Sequence, residues 1–368
     1  MKTETPREQD VPRAIGSRPE WAAHLVPLRS RTYAIIGMGV ALAVVIIVAT
    51  TVGSVWIPLS TTFKVMLSKL AFLHIAPTWP SGTDIIIIEI RLPRVIMAGL
   101  VGAALGTAGA TYQGLFRNPL ADPYLIGVAQ GASLGAVVGF LLPISGSMLG
   151  VGVVPLFAFV GALASTALVY ALARQGKSLP VTTLILAGVA LSSLLGSIVS
   201  YLIISSGDKM RSIVFWLMGS FSLSQWSDVR MVLPYMVIGT GIILLYARPL
   251  NVMQLDEEQA QQLGINVERM KLVLLAAATL ITAAAVSFVG TIGFVGIIIP
   301  HAVRLIWGAD YRFLLPLSVL SSAIFLILAD LIARTVLSPT EIPVGVVTAL
   351  FGAPFFLYLL RRRRRVIF

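Results

Sequence analysis

Cysteine is absent from the 368 residues, which excludes disulfides, thiolate metal sites and cysteine nucleophiles. Charge is also scarce. Charged residues make up 12% of the chain, against about 25% in ordinary soluble domains, so a water-soluble globule is a poor fit. No phosphate-binding G-x-x-x-x-G-K-S/T loop, no His-Glu-x-x-His and no acidic pair at metal-ligand spacing within an apolar run is present, and the three histidines (His24, His74, His301) are scattered. The pattern offers no catalytic site and no metal site. If ATP drives this protein, nucleotide and Mg must bind a separate subunit. Ionisable residues inside the apolar runs are few as well, which counts against a proton- or ion-coupled transporter. Asp330, one turn before Arg334, is the main exception. An internal ion pair, a partner-binding role for Arg334 and a proton relay are all open to it.

What is abundant is apolar sequence: 57% of residues are hydrophobic. A hydrocarbon core of about 30 Å needs roughly 20 mostly apolar residues per helix, and such runs recur from Tyr33 almost to the end. The expected class is an all-α integral membrane protein of about ten tightly packed transmembrane helices. The expected spans are 33–52, 93–115, 121–142, 152–173, 179–204, 229–246, 272–289, 296–307, 313–336 and 343–360. Residues 1–31 read as a flexible cytoplasmic tail, 32–360 as the transmembrane domain and 361–368 as a basic cytoplasmic tail. A cleaved signal peptide is not expected, because the first apolar run starts far from the N-terminus and is long enough to span.

The formal charge of +11 does not point to nucleic acid, since the basic residues lie in short loops and tails and not on one soluble face. With the N-terminus inside, most of the 27 Lys and Arg, including Arg117, Arg174, Arg248, Arg269, Lys271, Arg304, Arg312 and Arg361–Arg365, fall on the cytoplasmic side. This is the positive-inside bias of a bilayer protein. Gly127, Gly131, Gly135 and Gly139 recur every four residues, and Gly102 with Gly106 repeats the spacing. Small residues at this interval let helix backbones approach closely in lipid; a glycine hinge is the alternative.

Longer motifs carry a resemblance. Arg91-Leu92-Pro93-Arg94, the run Gly114-Leu115-Phe116-Arg117-Asn118-Pro119-Leu120-Ala121-Asp122-Pro123, Leu186-Ala187-Gly188-Val189-Ala190-Leu191, Gly293-Phe294-Val295-Gly296 with Pro300-His301-Ala302-Val303-Arg304-Leu305, and Pro343-Val344-Gly345-Val346-Val347-Thr348-Ala349 with Gly352-Ala353-Pro354 occur in this order. Together they resemble the permease subunits of type II ABC importers for iron-siderophores, haem and vitamin B12, over about residues 33–360.

The resemblance implies a homodimer around a central channel, two cytoplasmic ABC ATPase subunits and an external substrate-binding protein, with lipid around the spans and no cofactor on this chain. It implies that Arg91, Arg94 and Arg334 meet acids of the binding protein; anchoring a helix end at headgroups is the plainer role for the first two. It places the ATPase coupling helices in 251–264, with Asn251, Leu255, Glu257, Ala260, Leu263 and Gly264, where a solvated loop is the alternative. It places the cytoplasmic gate at Asn118, Leu120, Val181 and Thr182, although Pro180-Val181-Thr182-Thr183 departs from the run of small hydroxyl residues in a vitamin B12 permease. Ferric siderophore leads as cargo, ahead of vitamin B12 and haem. An ion-coupled secondary transporter and a structural membrane subunit are the rival classes.

Overall fold

A computed structural model describes residues 28–363, apart from 54, 70–75, 77, 145, 149 and 177. Most of the expected N-terminal tail, His24, His74, Lys177 and the last five residues lie outside the described residues. In chain order, α1 (Leu28–Thr51) is followed by α2 (Leu59–Ser68) and by α3 (Thr83–Ile85), which passes through a π-helical stretch, Ile86–Arg91, into α4 (Leu92–Leu115). A 3-10 turn, Pro123–Ile126, precedes α5 (Val128–Leu141), and a small antiparallel pair, β1 (Ser147–Met148) and β2 (Val151–Gly152), leads to α6 (Val153–Ala173). Then come α7 (Val181–Ile204), α8 (Met210–Leu217), α9 (Trp226–Leu245), α10 (Ala247–Met253), α11 (Glu257–Gln262), α12 (Val267–Val289), α13 (Val295–Trp307), α14 (Tyr311–Thr335) and α15 (Val344–Arg363).

Each apolar run expected from the sequence contains an α-helix, but the third, expected over 121–142, is α-helical only from Val128 to Leu141. α1, α6, α7, α9, α12 and α14 are long and apolar enough to cross a membrane by length and composition, while 128–141, 295–307 and 344–358 are shorter apolar helices. The stretch 56–89, between the first two expected spans, contains α2 and the start of the α3–α4 column, and α8 lies between the fifth and sixth expected spans. Both α2 and α8 are too short for a span, so a search for apolar runs passes over them. α12 starts five residues before the expected 272, because Asn266 accepts a hydrogen bond from the Arg269 backbone N–H at 3.0 Å and so caps a polar first turn that hydropathy ignores. α4 carries Pro93 in its first turn, where the missing N–H costs nothing. α12 and α13 stop at Gly290 and Gly308, both with positive φ.

α4 sits at the centre, buried along nearly its whole length. In an 18-residue window, 72% of α12 is buried but only 17% of α1 and of α7. The first is a core helix, and the other two turn most of their surface to lipid or to a partner. Lipid is as apolar as leucine, so contact between helices rests on close packing. Gly102 and Gly106 of α4 lie against Ser322 and Ser318 of α14, and Gly109 lies against Gly296 of α13. Gly131 and Gly135 of α5 lie against Gly161, Ser165 and Phe157 of α6; at Gly139 an added Cβ would stand 3.0 Å from the Val154 Cα. Gly127 does different work: with φ +86° it forms the left-handed corner that starts α5, and its surroundings are in ordinary contact.

Gly135→Leu is expected to lower stability by about 2 kcal/mol or more, because the new side chain meets the Phe157 backbone and a backbone cannot move aside as a side-chain tip can. Gly37→Leu on α1, with nothing within 4 Å of its would-be Cβ, is expected to be near neutral. Thermal unfolding of the two variants in one detergent checks the contrast.

Candidate functional site

At one end of the α1–α4–α14 cluster lie three arginines, all buried: Arg91, Arg94 and Arg334 are 5%, 9% and 7% exposed. Arg94 faces Asp330 of α14 through Nη2 at 2.8 Å and Nε at 3.0 Å, and its Nη1 reaches Glu341 at 2.8 Å. Arg334 stands 3.6 Å from the other Asp330 oxygen and donates to the Ala49 carbonyl of α1. Asp330 therefore bridges two helices and two arginines, and the internal ion pair expected along one helix is the minor half of its bonding. Arg91 and Arg94 are three residues apart but diverge. The π-helical stretch ends at Arg91, which donates to the Thr50 and Thr51 carbonyls at the end of α1 and to the Val55 carbonyl in the segment that follows it. The two α1 carbonyls lack partners within the helix, as at any helix C-terminus. Glu341, the second acid on Arg94, had no signal in the sequence, lying between spans with no charged neighbour in sequence.

At the other end of the bundle, the segment 251–264 folds as the end of α10, then α11. Asp256 caps α11 by accepting from the Glu257 backbone N–H at 2.7 Å, and Gly264 closes the turn with φ +83°. Ala260, on the inner face of α11, is fully buried, whereas Leu255 and Leu263, flanking the helix, are 60% and 65% exposed. Asn251 points inward: its Nδ2 donates to Asp310 and its Oδ1 accepts from the Tyr311 N–H, both at 2.8 Å, tying α10 to the start of α14. Gln254 donates to the Gly114 carbonyl at 3.2 Å, at the last turn of α4. Asp310 also bonds Arg312 at 2.6 Å and approaches Arg31 at 3.8 Å. The Arg312 hydrogen bond, followed by that of Asn251, holds the Asp310 carboxyl at about 2.

The four expected gate residues fall on two segments that bear on this region. Asn118 follows Arg117, which takes φ +47°, an unusual conformation for a side-chain-bearing residue. The Asn118 Oδ1 accepts from the Leu120 N–H at 3.0 Å and fixes a tight turn. Val181 and Thr182 open α7 directly after Pro180, with Thr182 exposed. Among the described residues, no hydrogen bond joins the two segments directly, but each is tied to α11. Arg117 pairs with Asp256 at 3.1 Å. On the other side, the Leu179 N–H donates to Glu268 Oε2 at 2.9 Å, and buried Lys271 joins Glu268 Oε1 at 3.2 Å and Glu257 Oε2 at 2.8 Å. Lys271 and Glu268 are three apart on α12, a spacing visible in the sequence; the long-range arms to Leu179 and Glu257 were not. Among the described residues no group of three or more His, Asp or Glu could hold a metal.

Residues 41–362 match the FecCD transport family. The chain belongs to that family. The cobalamin import system permease protein BtuC of Halobacterium salinarum is 45% identical over 355 residues, covering 88% of this chain and 95% of the relative. The hemin transport system permease protein HmuU of Yersinia pestis is 42% identical over 283 residues, covering 75% and 83%. A solved structure described as an inward-facing conformation of a metal-chelate type ABC transporter superposes with TM-score 0.77 at 31% identity, over 89% of this chain and 98% of the other. This FecCD chain is thus a transport permease of the ABC importer class, with the type II importer permease fold and multiple membrane-crossing helices in the inner membrane. It is not an enzyme; ATP hydrolysis belongs to a separate subunit.

In this FecCD permease, Asp330→Asn is expected to cost about 3–5 kcal/mol, since it leaves the buried Arg334 without a carboxylate and the buried Arg94 with Glu341 alone. Glu341→Gln should cost much less, its side chain being 33% exposed. Chemical unfolding in detergent compares them. For Asp310, the depressed folded value means its stabilisation is complete above the unfolded value of about 4 and is lost as pH falls through about 2. The difference in Tm between the parent and Asp310→Asn should therefore be constant at neutral pH and shrink between about pH 4 and pH 2.

Proposed function

We propose that two copies of this chain form the path by which a metal chelate, delivered by an external binding protein, enters the cytoplasm when two ATPase subunits bind and hydrolyse ATP. The observation that carries the reading is α11 with its flanks. Leu255 and Leu263 are apolar, exposed and set in the chain's polar segment, beside Glu258, Gln259 and Gln262, which are also exposed. Large apolar side chains held in water on a rigid helix fit a protein partner, and a helix anchored through Asn251, Gln254 and Ala260 can pass the partner's motion inward. We read the chain as ten crossings with both termini inside, which puts α11 on the cytoplasmic face with the basic loops.

The dimer reading rests on α7. It is largely uncovered, and Ser193, Ser197 and Ser200 form an exposed stripe whose hydroxyls donate to their own helix carbonyls four residues back. Such a stripe suits a wet channel wall better than lipid. Docking of the binding protein is assigned to the arginine end. Arg91, Arg94 and Arg334 bring three positive charges, against two negative charges on Asp330 and Glu341, so the cluster keeps a net positive charge that an incoming carboxylate can neutralise. Charge there also steers encounter with an acidic partner.

The cargo falls in the class of ferric chelates, haem and cobalamin. Ferric siderophore was the first expectation; the cobalamin permease aligned over nearly its whole length moves cobalamin ahead of it. A proton-coupled mechanism fits less well, since Asp330 is already engaged by Arg94 at 2.8 Å and faced by Arg334 at 3.6 Å, and few other ionisable residues lie within the apolar runs.

The test is uptake into proteoliposomes holding this chain and its cognate ATPase, with ATP inside, binding protein outside, and cyanocobalamin, haemin and a ferric siderophore offered in turn. Accumulation of one cargo that requires both ATP and binding protein is expected. Uptake that ignores ATP and follows an imposed ion gradient would sink the assignment.

A further inference from the structure

Asp256 and Glu257 are consecutive at the N-terminus of α11, yet their side chains run to different places. Asp256 reaches Arg117, next to the Asn118 turn, at 3.1 Å. Glu257 reaches Lys271 at 2.8 Å, and Lys271 passes through Glu268 to the Leu179 N–H, two residues before Val181. We propose that the N-terminus of α11 is a yoke: this one point couples ATPase-driven movement to both cytoplasmic gate segments, with Lys271 as the positioning residue of the stronger arm. The inference rests on the importer reading given above.

The two arms are not equal. The Lys271 side chain is 6% exposed and also approaches the Leu179 carbonyl at 3.4 Å, so a buried ammonium meets two carboxylates, 30% and 34% exposed, and a backbone oxygen. Arg117 and Asp256 are 39% and 55% exposed, and an ion pair in that setting is screened and exchanges readily with solvent. The burial also explains the direction of transmission. A lysine that left Glu257 would keep only Glu268 as a counter-charge in a poorly solvated site, so displacement of α11 is resisted by dragging Lys271, Glu268 and the start of α7 with it. The Leu179 N–H lies ahead of the α7 helix, with Pro180 between them. The link therefore acts on the segment that aims the first turn of α7 and leaves the helix's own hydrogen bonds untouched.

The cysteine-free chain makes the test direct. Thr182→Cys, exposed at the start of α7, gives a single thiol whose maleimide labelling rate reports the gate in the reconstituted complex with the ATPase, with and without a non-hydrolysable ATP analogue; no cargo is needed. Nucleotide is expected to change the labelling rate severalfold in the Thr182→Cys parent. With Lys271→Met added, the change should fall below about twofold while the ATPase still co-purifies, and Lys271→Arg should restore it. Glu257→Gln, which spares the Lys271–Glu268 pair, should weaken the response in the same direction and serves if Lys271→Met does not fold. A parent-like response in both Lys271→Met and Glu257→Gln, or in Glu257→Gln alone if Lys271→Met is not recovered, overturns the yoke and leaves the importer reading intact. A Thr182→Cys parent that neither binds the ATPase nor responds to nucleotide overturns the importer reading itself.

Discussion

Lipid gives helices no hydrophobic reason to associate, so this bundle depends on how closely its backbones can approach. The contacts that satisfy this constraint are specific. α4 lies on α14 at Gly102 and Gly106 and on α13 at Gly109, while α5 lies on α6 at Gly131 and Gly135. At these points a side-chain carbon would occupy the space of a neighbouring atom. Close approach at the centre frees the periphery, where α1 and α7 carry little burial. A rigid inner column with loosely covered outer helices is the arrangement that a subunit with partners and moving parts requires.

Charge follows a second constraint, the cost of placing an ion where water is absent. Among the described residues, the main buried ionic clusters sit at the two ends of the bundle and join several partners. At one end Asp330 joins Arg94 to Arg334, and Arg91 satisfies the open carbonyls of α1. At the other, Lys271 reaches back 92 residues to the Leu179 carbonyl and Asp310 back 59 to Asn251. Polar bonds at the ends fix orientation between helices that glycine contacts bring close but leave free to slide.

Much of this was legible from residue type and spacing. Runs of about twenty apolar residues mark helices because each peptide group in lipid must find its partner within the segment. The four-residue glycine interval marks interfaces because it follows one helix face. Asp256, Glu257 and Glu258 stand together between two apolar runs, within the segment that the family resemblance marked. What periodicity missed is equally physical. α2 and α8 are short helices with no span-length signal, and Gly127, although on the interval, serves a backbone corner that its spacing conceals.

The sequence by itself determined the class of the protein: a helical membrane permease that lacks the G-x-x-x-x-G-K-S/T loop, carries small residues at helix-packing intervals and matches one transport family along most of its length. These properties are local or periodic, and each is carried by a few neighbouring residues. Only the tertiary structure decided which charges are joined. Arg94 to Asp330 spans 236 residues, Arg117 to Asp256 spans 139 and Leu179 to Glu268 spans 89. Such pairs depend on which helices become neighbours and on how each is rotated about its axis. One inserted residue, such as the π-helical stretch before Arg91, turns every later side chain on that helix by about 100°, and no pattern within a single span records that choice.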